Sequence, residues 1–429
     1  MIASFQQMGW LKEGEGVAEA VARNMVCQGC HGDRAKHWSA DCWILQCCVD
    51  QRGLGHCHEC AEFPCVRLVG WSEQNASYGR ALERLRQLHG GQARRLDVMI
   101  PDTVLAWLLE ESEPSVRYRA LRELLDRLQN DPEVLAAKAQ IPASEPVRKL
   151  FAKMHPDGYW LYQGKGAGVD YRWPNSTHLT LGYLAELGMD RSDERIARAV
   201  DRYLTLPPVA QDRPRWEHPP DYRNHQSCLY AYNLRSFVML GYRDDPRIEE
   251  RVQVLLSDTR WDGGYLCDRD SFSPRTKSCI RGSTKALSCF AALPELWGTR
   301  RCQQVVEYFL RRRVLYRMSP PDQLIRDELV RLQFPFLFWG NLLEPLHALS
   351  RMGYGKHPAL ADAWERLASK RDAEGRYPLE EQHSAAWVKS GKVGEPNKWT
   401  TLYAYMALKD AASVDTSRQA GAPTIAGEG

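Results

Sequence analysis

This sequence carries little net charge, no long apolar run and no basic leader followed by an apolar segment. Lys and Arg total 57 against 54 Asp and Glu, a formal charge of +3, so no global field draws the chain to nucleic acid or to an anionic membrane. No apolar stretch reaches the ~18 residues of a membrane-spanning helix, and Met1 to Gly16 has no secretory pattern. The expected compartment is therefore the cytoplasm. What remains is ordinary globular arithmetic. Of 429 residues, 44% are hydrophobic, 26% charged and 10% aromatic, enough for a sizeable core and unlike collagen-like or disordered chains.

The 13 cysteines are unevenly placed. Cys27, Cys30, Cys42, Cys47, Cys48, Cys57, Cys60 and Cys65 crowd one short window, while the rest are scattered from Cys228 to Cys302. In a reducing compartment, clustered thiols point to metal ligation rather than disulfides. The knuckles Cys27/Cys30 and Cys57/Cys60 each put two thiolates on one tight turn, within reach of a tetrahedral ion at about 2.3 Å. Cys27, Cys30, Cys42, Cys47, Cys57, Cys60 and Cys65 are the candidate ligands, with His31, His37, His56 and His58 nearby. Thiolate sets suit zinc, and four cysteines also hold an iron–sulfur cluster. Two other readings stand beside these: buried thiols packing as small hydrophobes, and thiol redox chemistry at a helix start. No thioredoxin-like strand pattern accompanies the knuckles. A metal would give a segment too small for much core its folding energy.

The segment resembles a small, functionally uncharacterised prokaryotic Cys-rich family. The resemblance rests on Cys27-Gln-Gly-Cys30, Asp41-Cys42-Trp-Ile-Leu-Gln-Cys47 and Cys57-His-Glu-Cys60-Ala-Glu-Phe-Pro-Cys65, and covers roughly residues 24 to 90. It implies metal binding and no particular reaction. Members commonly begin with a further Cys-rich stretch that this chain lacks.

From Pro101 onward the periodicity is helical. Ser112-Glu-Pro114 opens a segment with Val116, Ala120, Leu121, Leu124, Leu125 and Leu128 on one face, after an N-cap signal and a first-turn proline. Gly188, Gly241, Gly298 and Gly353 lie 53, 57 and 55 residues apart, each after an apolar helix and before an amphipathic one. His178 to Leu187 is apolar nearly all round, as an enclosed helix would be, whereas Ile196, Ala199, Val200, Tyr203 and Leu204 form a one-sided stripe. Leu229 to Leu240 and Ile248 to Leu256 repeat the pair. Asp157-Gly-Tyr-Trp160, Asp262-Gly-Gly-Tyr265 and Glu374-Gly-Arg-Tyr377 recur at about twice the period. Helix pairs repeated at this spacing bury their apolar faces on one another. The expectation is all-α, with five to six pairs. The segments are 1–24 (lead), 25–95 (Cys-rich module), 101–410 (helical repeat) and 411–429 (disordered tail).

The repeat resembles the terpenoid cyclase and protein prenyltransferase superfamily, through its Asp-Gly-aromatic turns and the Leu-Gly-Tyr-x-Asp-x-Pro-Arg-Ile phrase at 240–248. That implies an α/α toroid with a ligand entering at the N-terminal ends of the inner helices. An unclosed superhelical stack is the alternative. The superfamily's class II cyclases use an Asp-x-Asp-Asp acid, which this chain lacks. The nearest string is Asp268-Arg-Asp270, two carboxylates of which one can be held protonated. The zinc signatures of prenyltransferases and lanthionine-type cyclases are also absent.

Further candidates come from position. Glu344 and His347 lie three apart on an apolar helix and share a face, as a proton-transfer pair or a core hydrogen bond. Asp170, His178, Arg223 and His225 precede or open inner helices, where they act in capping or in ligand binding. Trp160, Trp173, Trp339 and Trp399 can wall an apolar cavity, stabilise a carbocation by their faces, or pack as core. The run Arg311-Arg-Arg313 is a basic cluster at a helix end. The resulting expectation is a metal-binding, terpenoid cyclase-like protein that cyclises, isomerises or transfers an apolar small molecule. The alternative is a non-catalytic scaffold for a protein or nucleic-acid partner.

Overall fold

The computed structural model describes residues 6, 9–23, 42–54, 56–60, 62–74, 78–83, 85–86, 100–160, 175–205, 227–258, 260–266, 276–336, 340–384 and 386–413. Two compact units divide the chain, Met1–Met99 and Ile100–Gly429. The first holds short helices α1 (Val17–Ala22) and α2 (Val66–Ser72), with a helical turn at Trp43–Leu45 that widens over Gln46–Gln51. Its main apolar cluster is small: Phe63, Leu68 and Leu82, flanked by Trp43, Ile44, Cys57, Cys60 and Cys65. A core of that size supplies little folding free energy by itself.

The second unit is all-α. Among its described residues the only β pairings are isolated bridges, such as Tyr316 with Leu324. Its helices are α3 (Asp102–Leu108), α4 (Pro114–Arg119, prolonged by a wider turn over Ala120–Leu124), α5 (Pro132–Gln140), α6 (Glu145–Phe151), α7 (Thr177–Glu186) and α8 (Glu194–Thr205). They continue as α9 (Ser227–Met239), α10 (Pro246–Ser257), α11 (Ile280–Ala291), α12 (Arg300–Leu310), α13 (Leu343–Leu349), α14 (Ala361–Ala368) and α15 (Lys398–Ser413). Every residue of α7 is buried, whereas α8 buries only Ile196, Ala199, Val200, Tyr203 and Leu204. That is the difference between an inner and an outer helix.

The inner helices α7, α9, α11, α13 and α15 pack each on the next, and α15 also packs on α4. The series then closes on itself. Glu186 of α7 meets Arg119 of α4, Tyr403 of α15 and Arg235 of α9. Contacts across the start and end of a series are impossible in an open stack, so the repeat is an α/α toroid. Outer helices α10, α12 and α3 pack on α9, α11 and α15, and α5 packs on α4.

Both recurrent glycine signals have a structural cause. Gly188, Gly241 and Gly353 have φ of 88°, 90° and 95°, the left-handed region that ends a helix and that a Cβ opposes. Gly298 does not share it. There α11 stops at Ala291, Pro294–Leu296 forms a single 3-10 turn, and the Thr299 side chain caps α12. The Asp-Gly-aromatic turns use Gly158, Gly263 and Gly375 at φ of 87°, 81° and 91°. In each turn the following aromatic donates its backbone N–H to a hydroxyl on the next inner helix: Trp160 to Thr177, Tyr265 to Ser283 and Tyr377 to Thr401, all at 2.9 Å. Three copies of one latch thus fix where inner helices begin.

Gly182 marks the tightest inner contact, because a Cβ there would overlap the phenol of Tyr232 on α9. Gly182→Ala is expected to lower stability by about 1–3 kcal/mol, as overpacked cores do, despite alanine's better helix propensity. Tyr232→Leu should relieve the loss in the double variant. Urea denaturation of the four proteins tests this, and a neutral Gly182→Ala would refute it.

Candidate functional site

Side chains three or four residues apart share a helix face, and such columns on neighbouring inner helices meet one another. Around the first turn of α15 the meeting side chains are aromatic. Trp399 stacks on Phe334 with centroids 4.2 Å apart and planes 5° from parallel, Tyr183 meets Phe334 edge-on at 5.8 Å, and Phe336 meets Tyr403 at 4.4 Å. One turn further along lies a charged layer. Glu186 accepts from Arg235 at 2.5 Å, from Arg119 at 3.5 Å and from the Tyr403 hydroxyl. Beside it, Lys285 donates to Glu344 at 2.6 Å, and Ser288 and Asn341 complete that carboxylate at 3.0 and 3.3 Å.

Burial acts on Glu186, Glu123, Asp410 and His347. It pushes the Glu186 carboxyl up, and Arg235 and Arg119 more than offset it, leaving the group below the ordinary carboxylate range. Glu123 is driven up by burial but drawn down to about 2 by Arg351 and Arg119. Asp410, 3.8 Å from His347, is raised by burial to about 6. His347 is held well below its usual value by burial and by Arg351. These are the physical signs of charges that survive in a low-dielectric interior only through their partners.

The structure rearranges the sequence-derived candidates. Glu344 and His347 do not form a pair: Glu344 is engaged by Lys285, and His347 lies edge-on to Tyr403 at 5.3 Å and faces Asp410. Trp160 is fully buried beside Phe151, with its indole N–H donating to the Leu150 carbonyl at 2.7 Å. His178 lies between Asn233 of inner helix α9, at 3.3 Å, and Tyr203 of outer helix α8, which it meets edge-on. Burial brings its pKa to about 3, so the ring is neutral. Trp399 is buried and joins the aromatic group through Phe334. Asp170, Trp173, Arg223, His225, Asp268, Asp270, Trp339, Cys27 and Cys30 lie outside the described residues, as does the tail from 414. The basic cluster is ion-paired: Arg312 faces Asp262, and Arg313 faces Asp322 and Asp362.

Sequence reasoning missed Arg119, Glu186, Arg235, Lys285 and Tyr403. The available signal was a charge on a helix that is otherwise largely apolar, as Glu186 is in α7, or on one whose face is almost wholly buried, as Lys285 is in α11. Such a charge must find a partner on another helix. The side chains meeting between the inner helices are therefore polar as well as aromatic.

In the Cys-rich unit, a small cavity is lined by Cys47, Cys48, Cys57, Cys60 and Cys65, with Trp43, Phe63, Arg52 and Glu62. Cys57 opens a 3-10 turn that closes on Cys60, Cys65 caps α2, and Cys47 sits on the widened turn after Leu45. Cys42, at the start of Trp43–Leu45, lies outside that lining. Arg52 donates to the Cys60 sulfur at 3.2 Å and pairs with Glu62 at 2.8 Å. Separately, His56, His58 and Glu59 bring one ligand atom each within 4.8 Å of one another at the surface.

Residues 7–70 match a family described as a protein of unknown function, DUF3795. That is the Cys-rich segment, and the match leaves most of the chain outside it. No curated protein matches this chain. Among solved structures, a glycosyl hydrolase of family 88 from Bacteroides vulgatus is 13% identical, with 71% of this chain and 91% of that one covered at a TM-score of 0.40. A polysaccharide lyase is 12% identical, with 73% and 92% covered at a TM-score of 0.39. Likenesses this slight transfer no activity, and neither structure supports the terpenoid cyclase resemblance. No described helix is long and apolar enough to cross a membrane.

Proposed function

We propose that the Ile100–Gly429 unit is an enzyme that takes an apolar isoprenoid-like or polycyclic small molecule, at the aromatic layer beside the first turn of α15. The observation that carries this reading is the aromatic layer of Tyr183, Phe334, Phe336 and Trp399 lying over a layer of buried charge. Aromatic faces hold apolar rings by area and stabilise positive charge developing on them. The fixed charges below act without reorganising when the reaction occurs. Glu344 is committed to Lys285, so the acid step of a cyclisation, isomerisation or transfer falls to Asp268 or Asp270. The packed charged layer favours a second reading, a scaffold with no substrate.

Thermal unfolding with isoprenoid diphosphates, polycyclic alcohols and oligosaccharides separates these readings. A ligand of the first two classes should raise Tm by about 3–6 °C at a hundredfold excess over Kd, and Trp399→Leu should remove the shift. A shift with oligosaccharides alone would overturn the substrate class. No shift with any of them would overturn the enzyme and leave the scaffold.

A further inference from the structure

We infer that the outer face formed by α8 and the turn before Trp160 binds single-stranded nucleic acid, with phosphates on its arginines and a base on His155. Arg195, Arg198 and Arg202 follow one another at three and four residues, so they form one column along α8. The segment that ends in the first Asp-Gly-aromatic turn runs against that column. Arg195 lies over the Phe151 ring at 3.7 Å and Arg202 over the Tyr159 ring at 4.6 Å. Between them, Arg198 passes so close to Gly158 that a Cβ there would meet its Cγ at 3.0 Å, and it donates to the Pro156 carbonyl at 3.3 Å. Tyr159 in turn stacks on His155, with centroids 4.2 Å apart and planes 17° from parallel.

A guanidinium lying on a ring is held in place while the N–H donors along its edge stay free for a phosphate. Arg195 commits those donors to Asp193. Arg198 and Arg202 pair with no carboxylate among the described residues, and Asp201, the acid between them, is held by Arg247 at 2.8 Å. Arg148 and Lys153, exposed just before the turn, add two more cations. Against them stand Asp157 and Glu194, the exposed acids of this face that no arginine or lysine holds. The charge is therefore local, on a chain with little net charge overall. His155 is set by its own turn: its Nδ1 accepts the Asp157 backbone N–H at 3.1 Å. Its side chain is 44% exposed, so the ring face that Tyr159 leaves open can take a base. Stacking combined with phosphate contact is how unpaired strands are held without regard to sequence. A duplex hides its base faces, and a lipid headgroup offers His155 no ring.

Fluorescence anisotropy of a labelled oligoadenylate of about 12 nucleotides, titrated with the full chain, is the test, with the matching duplex and phosphatidylserine vesicles as comparisons. The strand should bind more tightly than the duplex, and the vesicles should not bind. Affinity should fall with salt at a logarithmic slope of about −1.4 to −2.1, as for two or three phosphates. The combined Arg198→Glu and Arg202→Glu variant should lose about tenfold or more in affinity and flatten that slope. His155→Ala should weaken binding about tenfold, the loss of one stacked base, and His155→Phe should restore it. Thermal unfolding of each variant confirms that it is folded, and the His155 pair keeps the test decisive if the charge reversal is not tolerated. No binding of the strand, equal binding of the duplex, binding to vesicles alone, or unchanged affinity in either the double arginine variant or His155→Ala would each overturn the assignment.

Discussion

Replacing Lys285 by Met is expected to destabilise the toroid by about 3–5 kcal/mol, the cost of leaving a buried carboxylate without its partner. The Lys285 and Glu344 side chains are 1% and 4% exposed and sit 2.6 Å apart, so water cannot replace the ammonium. Glu344 keeps Ser288 and Asn341 as donors, yet two neutral hydrogen bonds do not balance a desolvated charge. The double variant Lys285→Met/Glu344→Leu removes both ions and should recover most of the loss, because an apolar pair of similar volume often equals a buried ion pair. The coupling free energy from the four proteins, measured by urea denaturation at neutral pH, is the quantity to read. A single-variant cost below about 1 kcal/mol would show that the pair is solvated in solution.

Acidification should produce the second large effect. Burial lowers the His178 pKa from 6.5 to about 3, so between those values the unfolded chain binds a proton that the folded chain refuses. Stability contributed by the neutral ring is therefore complete above pH 6.5 and is lost as pH falls toward 3, up to about 4 kcal/mol. His347 acts in the same direction, and Glu123 adds to the loss below pH 4.5. Asp410 opposes them: its folded pKa of about 6 lies above its ordinary 3.8, so protonation between those values favours the fold. His178→Gln cannot charge, and its stability should fall less steeply between pH 6.5 and 4. Parallel slopes for the two proteins would show that His178 is protonated in the native state.

Much of the architecture was legible because helices obey local rules. The stripe from Ile196 to Leu204, the enclosed run from His178 to Leu187, and Gly188 and Gly241 as helix ends all follow from side-chain period and backbone sterics. The Asp-Gly-aromatic turns were visible as a repeat, but not as a latch. Their partners Thr177, Ser283 and Thr401 lie 17 to 24 residues further on, beyond any local pattern. The role of Trp160 was open for the same reason, since a tryptophan that packs as core and one that faces a ligand look alike in sequence. Glu344 and His347 share a helical neighbourhood, yet a difference of one position in phase sends one to Lys285 and the other to Tyr403.

The sequence by itself determined the helix pairs, their ends and the gathering of thiols in one segment, because these depend on neighbours a few residues away. Only the tertiary structure decided that the pairs close into a ring and that Arg119, Glu186, Arg235 and Tyr403 meet at its centre. It also decided which cysteines share a cavity. The physical reason is that an isolated helix leaves a buried charge or thiol without a partner, and the choice among distant partners is settled only when all the helices pack at once.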